Sequence, residues 1–271
     1  MLVLKDKVAL ITGSAQGIGA AIARTFVQQG AQVIITDIQE EKGKALAKEL
    51  GAQAFFLRLN VTLEQDWVRA MAVINEKYGS LHVLVNNAGI TGYHLELGPH
   101  DPEHSTLAGW NAVHEVNLTG VFLGCKYGIA AMKANLGHST IINISSRSGL
   151  VGISRAAAYA SSKAAIRNHT KTVALYCAEM GYKITCNSVH PAAILTPMWD
   201  DMLGVGNQRE KMIRHMSKDI PLGRFGQPEE VAQLVLYLAS HQARYITGTE
   251  FNIDGGILAG SAAAPQQEEP V

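Results

Sequence analysis

The stretch Val8-Ala9-Leu10-Ile11-Thr12-Gly13-Ser14-Ala15-Gln16-Gly17-Ile18-Gly19 decides the fold. Its first part is a short apolar run, and its second part is a glycine-rich turn. Helix-period residues follow over 17–29. A strand that turns on glycines into a helix opens a βαβ unit. Glycines at that turn let the backbone bend sharply and approach a pyrophosphate. The helix start then offers free N–H groups and a positive dipole end to the anion. Gly13, Gln16, Gly17, Ile18 and Gly19 are therefore candidate cofactor-binding positions.

Working outward, apolar runs recur at 32–36, 54–59, 83–85, 141–144, 184–189 and 249–253. Helix-period stretches at 39–50, 63–78, 108–135, 157–180 and 228–240 separate or flank them. Near-continuous apolar strands belong to parallel sheets covered on both faces. The alternation predicts an α/β chain with a Rossmann-type, doubly wound parallel sheet of about seven strands between two helical layers. No linker divides it, so a single domain is expected over 1–259. Residues 190–226 break the alternation and are expected to form a substrate lid. Residues 260–271 read as a flexible tail.

Of the 271 residues, 47% are hydrophobic, enough for a large core and too many for a disordered chain. Lys and Arg total 23 against 23 Asp and Glu, and no basic cluster stands out. That argues against nucleic acid as a partner. The three cysteines are far apart and form no CxxC, which predicts neither a disulfide framework nor a zinc site. Residues 1–10 carry Lys5, Asp6 and Lys7 and lack the apolar core of a signal peptide. No apolar run approaches a membrane span. A soluble cytoplasmic protein with no membrane partner is expected. His94, His100 and His104 lie near Glu96, Asp101 and Glu103, but the segment is rich in Gly and Pro and has no HExxH. No metal site is expected.

The second apolar run ends at Asp37, followed by Ile38. A carboxylate there can accept hydrogen bonds from both adenosine ribose hydroxyls and would repel a 2′-phosphate. Neither Ile38 nor Gln16 supplies the positive charge that a 2′-phosphate wants. The expectation is NAD(H), preferred over NADP(H).

Further motifs arrive in order along the chain. Asn86-Asn87-Ala88-Gly89 follows the fourth strand, and Asn117 sits in the long helix after it. Ser146 follows the fifth strand, then Tyr159-Ala160-Ser161-Ser162-Lys163. Pro191 to Thr196 follows the sixth strand, and Asp254-Gly255-Gly256 the seventh. Tyr159 and Lys163 share a helix face. An ammonium beside the phenol favours phenolate, which suits Tyr159 as general acid/base for an alcohol–ketone pair. Ser146 can hydrogen-bond the same substrate oxygen.

Over roughly residues 5–258 the chain resembles the short-chain dehydrogenase/reductase family. The resemblance implies an enzyme in which Ser146, Tyr159, Lys163 and Asn117 are catalytic. It selects Ser146 over its neighbour Ser145. It also implies that Lys163 binds the nicotinamide ribose and that Asn117 holds a water continuing the proton path. Asn87, Ala88 and Gly89 are expected along the adenosine side of the cofactor, with Tyr159 also beside it. Asn60, followed by Val61, stands where the family usually has an aspartate near the adenine. Ile194 and Thr196, after Pro191, are expected to hold the nicotinamide carboxamide. Ala192 replaces the family's usual glycine.

Local motifs are similar to those of bacterial hydroxysteroid and alicyclic alcohol dehydrogenases. These are Val189-His190-Pro191, Phe122-Leu123-Gly124-Cys125 and Gly128-Ile129-Ala130-Ala131-Met132-Lys133. Leu150, Met198, Trp199 and Met202 are candidate walls of an apolar substrate pocket, suited to a small-molecule secondary alcohol or ketone. A sugar or polyol dehydrogenase, a 3-oxoacyl-thioester reductase and an inactive NAD-binding regulatory protein remain open as alternatives. His190 reads as a core or lid residue. By family resemblance the helices at 108–135 and 157–180 pair subunits into a homotetramer.

Overall fold

A computed structural model describes residues 2–260. Beyond Gly260, the expected tail lies outside the described residues. The chain alternates strand and helix: β1 (Val8–Thr12), α1 (Gly17–Gln28), β2 (Gln32–Asp37), α2 (Glu40–Leu50), β3 (Ala54–Arg58), α3 (Glu64–Tyr78) and β4 (Val83–Asn86). Then come α4 (Leu107–His114), a π turn (Glu115–Thr119), α5 (Gly120–Met132), β5 (Ser139–Ile144), α6 (Ala157–Glu179) and β6 (Ile184–Pro191). After the excursion, which carries α7 (Asp200–Leu203) and α8 (Gly206–Ser217), come α9 (Pro228–Ala239) and β7 (Glu250–Ile253).

The seven strands form one parallel sheet in the order β3-β2-β1-β4-β5-β6-β7. The strand order reverses between β1 and β4. Their carboxyl ends therefore part into the crevice where doubly wound sheets bind ligands. Alternate residues of each strand point to opposite faces. Ala9, Ile11, Val33 and Ile35 join a core beneath α1 and α9, while Val8, Leu10 and Ile34 join a core beneath α3, α5 and α6. This is the expected three-layer architecture.

Two local features depart from the expected pattern. The helix predicted over 108–135 is interrupted by the π turn around Asn117. One extra residue per turn brings Asn117 inward, where its side chain is fully buried. The excursion expected from residue 190 begins later, at Ala192, because β6 keeps pairing with β7 through Pro191 and Ile253. The two ends of this excursion are tied together. Gly226 N–H donates to the Ala193 carbonyl at 2.9 Å, and Leu195 N–H donates to the Gly226 carbonyl at 2.9 Å.

Candidate active site

The glycine loop is held from below by polar groups at the strand ends. The Thr12 hydroxyl accepts the N–H groups of Asn87 (2.9 Å) and Ala88 (3.0 Å). Asn87 Nδ2 donates to the carbonyls of Thr12 and Gly13, both at 2.9 Å. Asn87 thus supports the loop from behind. Gly13 has φ +60°, and a methyl there would lie 2.7 Å from Ala88 Cα. A methyl on Gly19 would lie 2.4 Å from the Gly13 carbonyl oxygen. Only glycine fits either place. Helix α1 has no side-chain cap at Gln16 and no acid in its first turn, so its N-terminus is electrostatically suited to an anion.

Asp37 is buried at the end of β2. Its Oδ2 accepts from Ala15 N–H and its Oδ1 from Gln39 N–H, both at 3.0 Å. Each oxygen keeps a second lone pair for a ribose hydroxyl. Ile38 beside it is exposed. The structure adds a group that the sequence reading missed: Lys42 Nζ donates to Gln16 Oε1 at 2.8 Å. An ammonium from α2 therefore reaches the glycine loop. Only the pairing of two distant segments reveals it.

Asn60 Oδ1 accepts from both the N–H (3.1 Å) and the hydroxyl (2.9 Å) of Thr62. Its two lone pairs are committed to this turn. Val61 is buried, packed where a methyl on Gly120 would meet its Cγ2 at 2.7 Å.

Two of the catalytic candidates, Lys163 and Asn117, meet at Gly89. A methyl on Gly89 would lie 3.1 Å from Lys163 Nζ and 3.2 Å from Asn117 Oδ1. Asn117 Oδ1 accepts from Ile90 N–H at 2.8 Å, and its Nδ2 donates to the Ile90 carbonyl (2.9 Å) and to Ser162 Oγ (3.1 Å). The π turn therefore clamps the backbone just past Gly89. Lys163 Nζ donates to the Ile144 carbonyl at 2.9 Å and lies 5.8 Å from the centre of the Tyr159 ring. Burial lowers the Lys163 pKa to about 8. Burial raises that of Tyr159, while the Ser146 hydroxyl pulls it the other way. Ser146 Oγ accepts from Ser148 N–H at 3.1 Å, so its own proton is free to meet a substrate oxygen. The first N–H of α6, on Ala157, donates to the His100 carbonyl at 2.9 Å, and the Tyr93 hydroxyl donates to the Arg155 carbonyl at 2.7 Å. The histidine-bearing loop thus steadies the helix that carries Tyr159. Among the described residues no cluster of side chains has a metal-binding arrangement.

On the opposite wall, Thr196 faces the glycine loop. A methyl on Gly17 would lie 3.5 Å from Thr196 Cβ. The bridge between the ends of the excursion uses the Ala193 carbonyl and the Leu195 amide, and it does not use the Ile194 amide. Positive φ falls on Ala193, at +50°, one residue after the alanine that replaces the family's glycine. Leu150 closes the turn that begins at Ser146. Met198 and Met202 are partly exposed, whereas the Trp199 ring packs edge-on against Phe225 with centroids 5.4 Å apart.

A family model described as enoyl-(acyl carrier protein) reductase, of the short-chain dehydrogenase/reductase type, matches residues 13–258. The chain belongs to the short-chain dehydrogenase/reductase family. It is 42% identical over 255 residues to 3-beta-hydroxysteroid dehydrogenase of Comamonas testosteroni, covering 94% of this chain and 97% of the relative. It is 40% identical over 267 residues to trans-4-hydroxycyclohexanecarboxylate dehydrogenase of Sinomonas cyclohexanicum, covering 94% of each. It is 38% identical over 258 residues to an NADP-dependent (R)-specific alcohol dehydrogenase of Lentilactobacillus kefiri, covering 94% of this chain and 98% of the relative. As a member of this family the chain is an oxidoreductase acting on CH–OH groups with a nicotinamide cofactor. The glycine cradle and the uncapped start of α1 fit such a cofactor. No helix among the described residues is long and apolar enough to cross a membrane.

Proposed function

We propose that this short-chain dehydrogenase/reductase interconverts a secondary alcohol and a ketone with NAD(H), preferred over NADP(H), on an apolar hydroxysteroid or alicyclic substrate. The observation that carries the reading is the segment Asn86 to Ile90. Ala88 packs against Gly13, and the next residue, Gly89, lies against Lys163 and Asn117. One short backbone thus joins the pyrophosphate cradle to the acid/base group. The hydroxysteroid and cyclohexanecarboxylate relatives support a ring-bearing substrate.

When bound, the nicotinamide gives or takes the hydride. The N–H groups at the start of α1 and the loop Gly13, Gln16, Gly17, Ile18 and Gly19 would hold the pyrophosphate. Asp37 would take the adenosine ribose beside Ile38. Ala88, Gly89, Pro191, Ile194 and Thr196 would bound the remainder of the site, with Asn60 and Val61 at its adenine end. In ketone reduction the Tyr159 phenol donates its proton to the substrate oxygen while the Ser146 hydroxyl hydrogen-bonds that same oxygen. The Lys163 ammonium lowers the cost of the phenolate left behind. Asn117 acts by fixing the backbone at Ile90 and the Ser162 hydroxyl beside Lys163. Leu150, Met198, Met202 and Trp199 would line the apolar side.

Exposed Phe122 on α5, with Leu175 and Tyr176 on α6, supports a homotetramer. Light scattering that gave a monomer mass would remove it. Three free thiols are consistent with a reducing compartment such as the cytoplasm. The deciding experiment is a panel of steroids, cyclic alcohols, sugars and acyl thioesters assayed with NAD(H) and NADP(H). Fastest turnover of steroids or cyclic alcohols with NAD(H) is expected. Faster turnover of acyl thioesters with NADPH would overturn the substrate reading.

A further inference from the structure

His190 lies on β6 and is completely buried. Both ring nitrogens have partners. Nδ1 is 3.1 Å from the Ser146 carbonyl oxygen, and Nε2 is 2.9 Å from Ser188 Oγ. A carbonyl can only accept, so Nδ1 carries the proton. Nε2 then accepts from the Ser188 hydroxyl. Burial keeps the ring neutral by lowering its pKa, and the positive charges of Arg167 and Lys163 act in the same direction. The Ser146 carbonyl and Glu250 oppose them.

The bond falls at the end of a strand whose last residues are each held separately. The Ile144 carbonyl accepts from Lys163 Nζ at 2.9 Å. Ser145 N–H donates to the Val189 carbonyl at 2.8 Å, and its hydroxyl donates to the Lys163 carbonyl at 2.8 Å. The Ser146 carbonyl is where the chain leaves the sheet for the turn Arg147–Gly149. There the ladder with β6 has ended, since β5 pairs with β6 only through Ile144 and Val189. A side chain replaces the missing backbone partner.

We propose that His190 is a positioning residue that aims the Ser146 hydroxyl by holding the Ser146 carbonyl. This rests on the reading of Ser146 as the serine that meets the substrate oxygen. A rotation of the peptide after Ser146 would swing the Ser148 N–H that donates to Ser146 Oγ, and with it the direction of the free hydroxyl proton. Asn at position 190 can present a donor close to where Nδ1 stands, whereas Leu cannot.

The test is a double-mutant cycle on the full-length protein. Single-turnover ketone reduction is measured with the steroid or cyclic ketone that the panel turns over fastest, and NADH affinity is measured by fluorescence titration. His190→Leu is expected to slow reduction about tenfold, and the same change in a Ser146→Ala background to cost less than about twofold. NADH affinity stays within about twofold in each, and His190→Asn recovers most of the rate. If His190→Leu does not fold, Ser188→Ala takes its place, since it frees Nε2 and loosens the same ring. An equal loss in both backgrounds makes His190 a general support of the fold and overturns the proposal, as does no loss in either. A Ser146→Ala protein with unaltered turnover instead overturns the reading of Ser146 itself.

Discussion

The buried Lys163 ammonium and the Ile144 carbonyl are joined at 2.9 Å across the junction of α6 and β5. A neutral acceptor orients the lysine but does not balance its charge. Burial therefore lowers the pKa of Lys163 to about 8. The same enclosure raises that of Tyr159. Below about pH 8 both groups hold their protons, as the proposed role of Tyr159 as acid in ketone reduction requires. As pH rises through that value the ammonium loses its proton first, and support for the developing phenolate goes with it. The pH profile of kcat/KM for ketone reduction should be flat at neutral pH and fall above about 8. In Lys163→Arg, whose charge persists at high pH, any remaining activity should lose that fall. A profile identical in the two proteins would show that Lys163 does not set it.

Tyr159→Phe removes the proposed proton donor and leaves the ring. Turnover should drop by about 10²–10⁴, the usual worth of a positioned acid or base. NADH binding, followed by fluorescence, should remain within about twofold. Retained turnover would remove Tyr159 from the mechanism.

Asp37 and Lys42 are expected to act in opposition at the adenosine ribose. Asp37→Ser should relax the proposed preference for NAD over NADP in kcat/KM. It should also lower Tm, because the N–H groups of Ala15 and Gln39 each lose a charged acceptor worth about 1.5–3 kcal/mol. Lys42→Glu should leave NAD kinetics alone and depress NADP kinetics several-fold. Steady-state kinetics with both cofactors check this, and an unchanged cofactor ratio in both variants would count against the site.

Gly13→Ala places a methyl 2.7 Å from Ala88 Cα on a backbone with φ +60°. Backbone cannot yield as a side-chain tip can. A loss of about 1–3 kcal/mol in stability is expected, with weakened NADH binding. Thermal melts with and without NADH separate the two effects.

Legibility differed by distance along the chain. β1 and the start of α1 are where the opening stretch predicts them, because apolar strand residues and turn glycines act on their immediate neighbours. Tyr159 and Lys163 share a face of α6 for the same local reason. The commitment of Asn60 Oδ1 to Thr62 was less legible, since the turn is completed from α3, where Asp66 Oδ2 accepts the Asn60 N–H at 2.8 Å. The π turn at Asn117 is not written in hydrophobic periodicity, because it exists to satisfy the Ile90 backbone on another loop.

The sequence by itself determined the α/β order, the glycine loop, the carboxylate that ends β2 and the candidate Ser–Tyr–Lys set. Each is a matter of residue type and short spacing. Only the tertiary structure decided what supports them: Asn87 beneath the glycines, Lys42 at Gln16, Asn117 around Ile90 and His190 on the Ser146 carbonyl. All four depend on hydrogen bonds between segments far apart in the chain. Such partners are chosen by where a parallel sheet brings its strand ends together, and no local pattern records that choice.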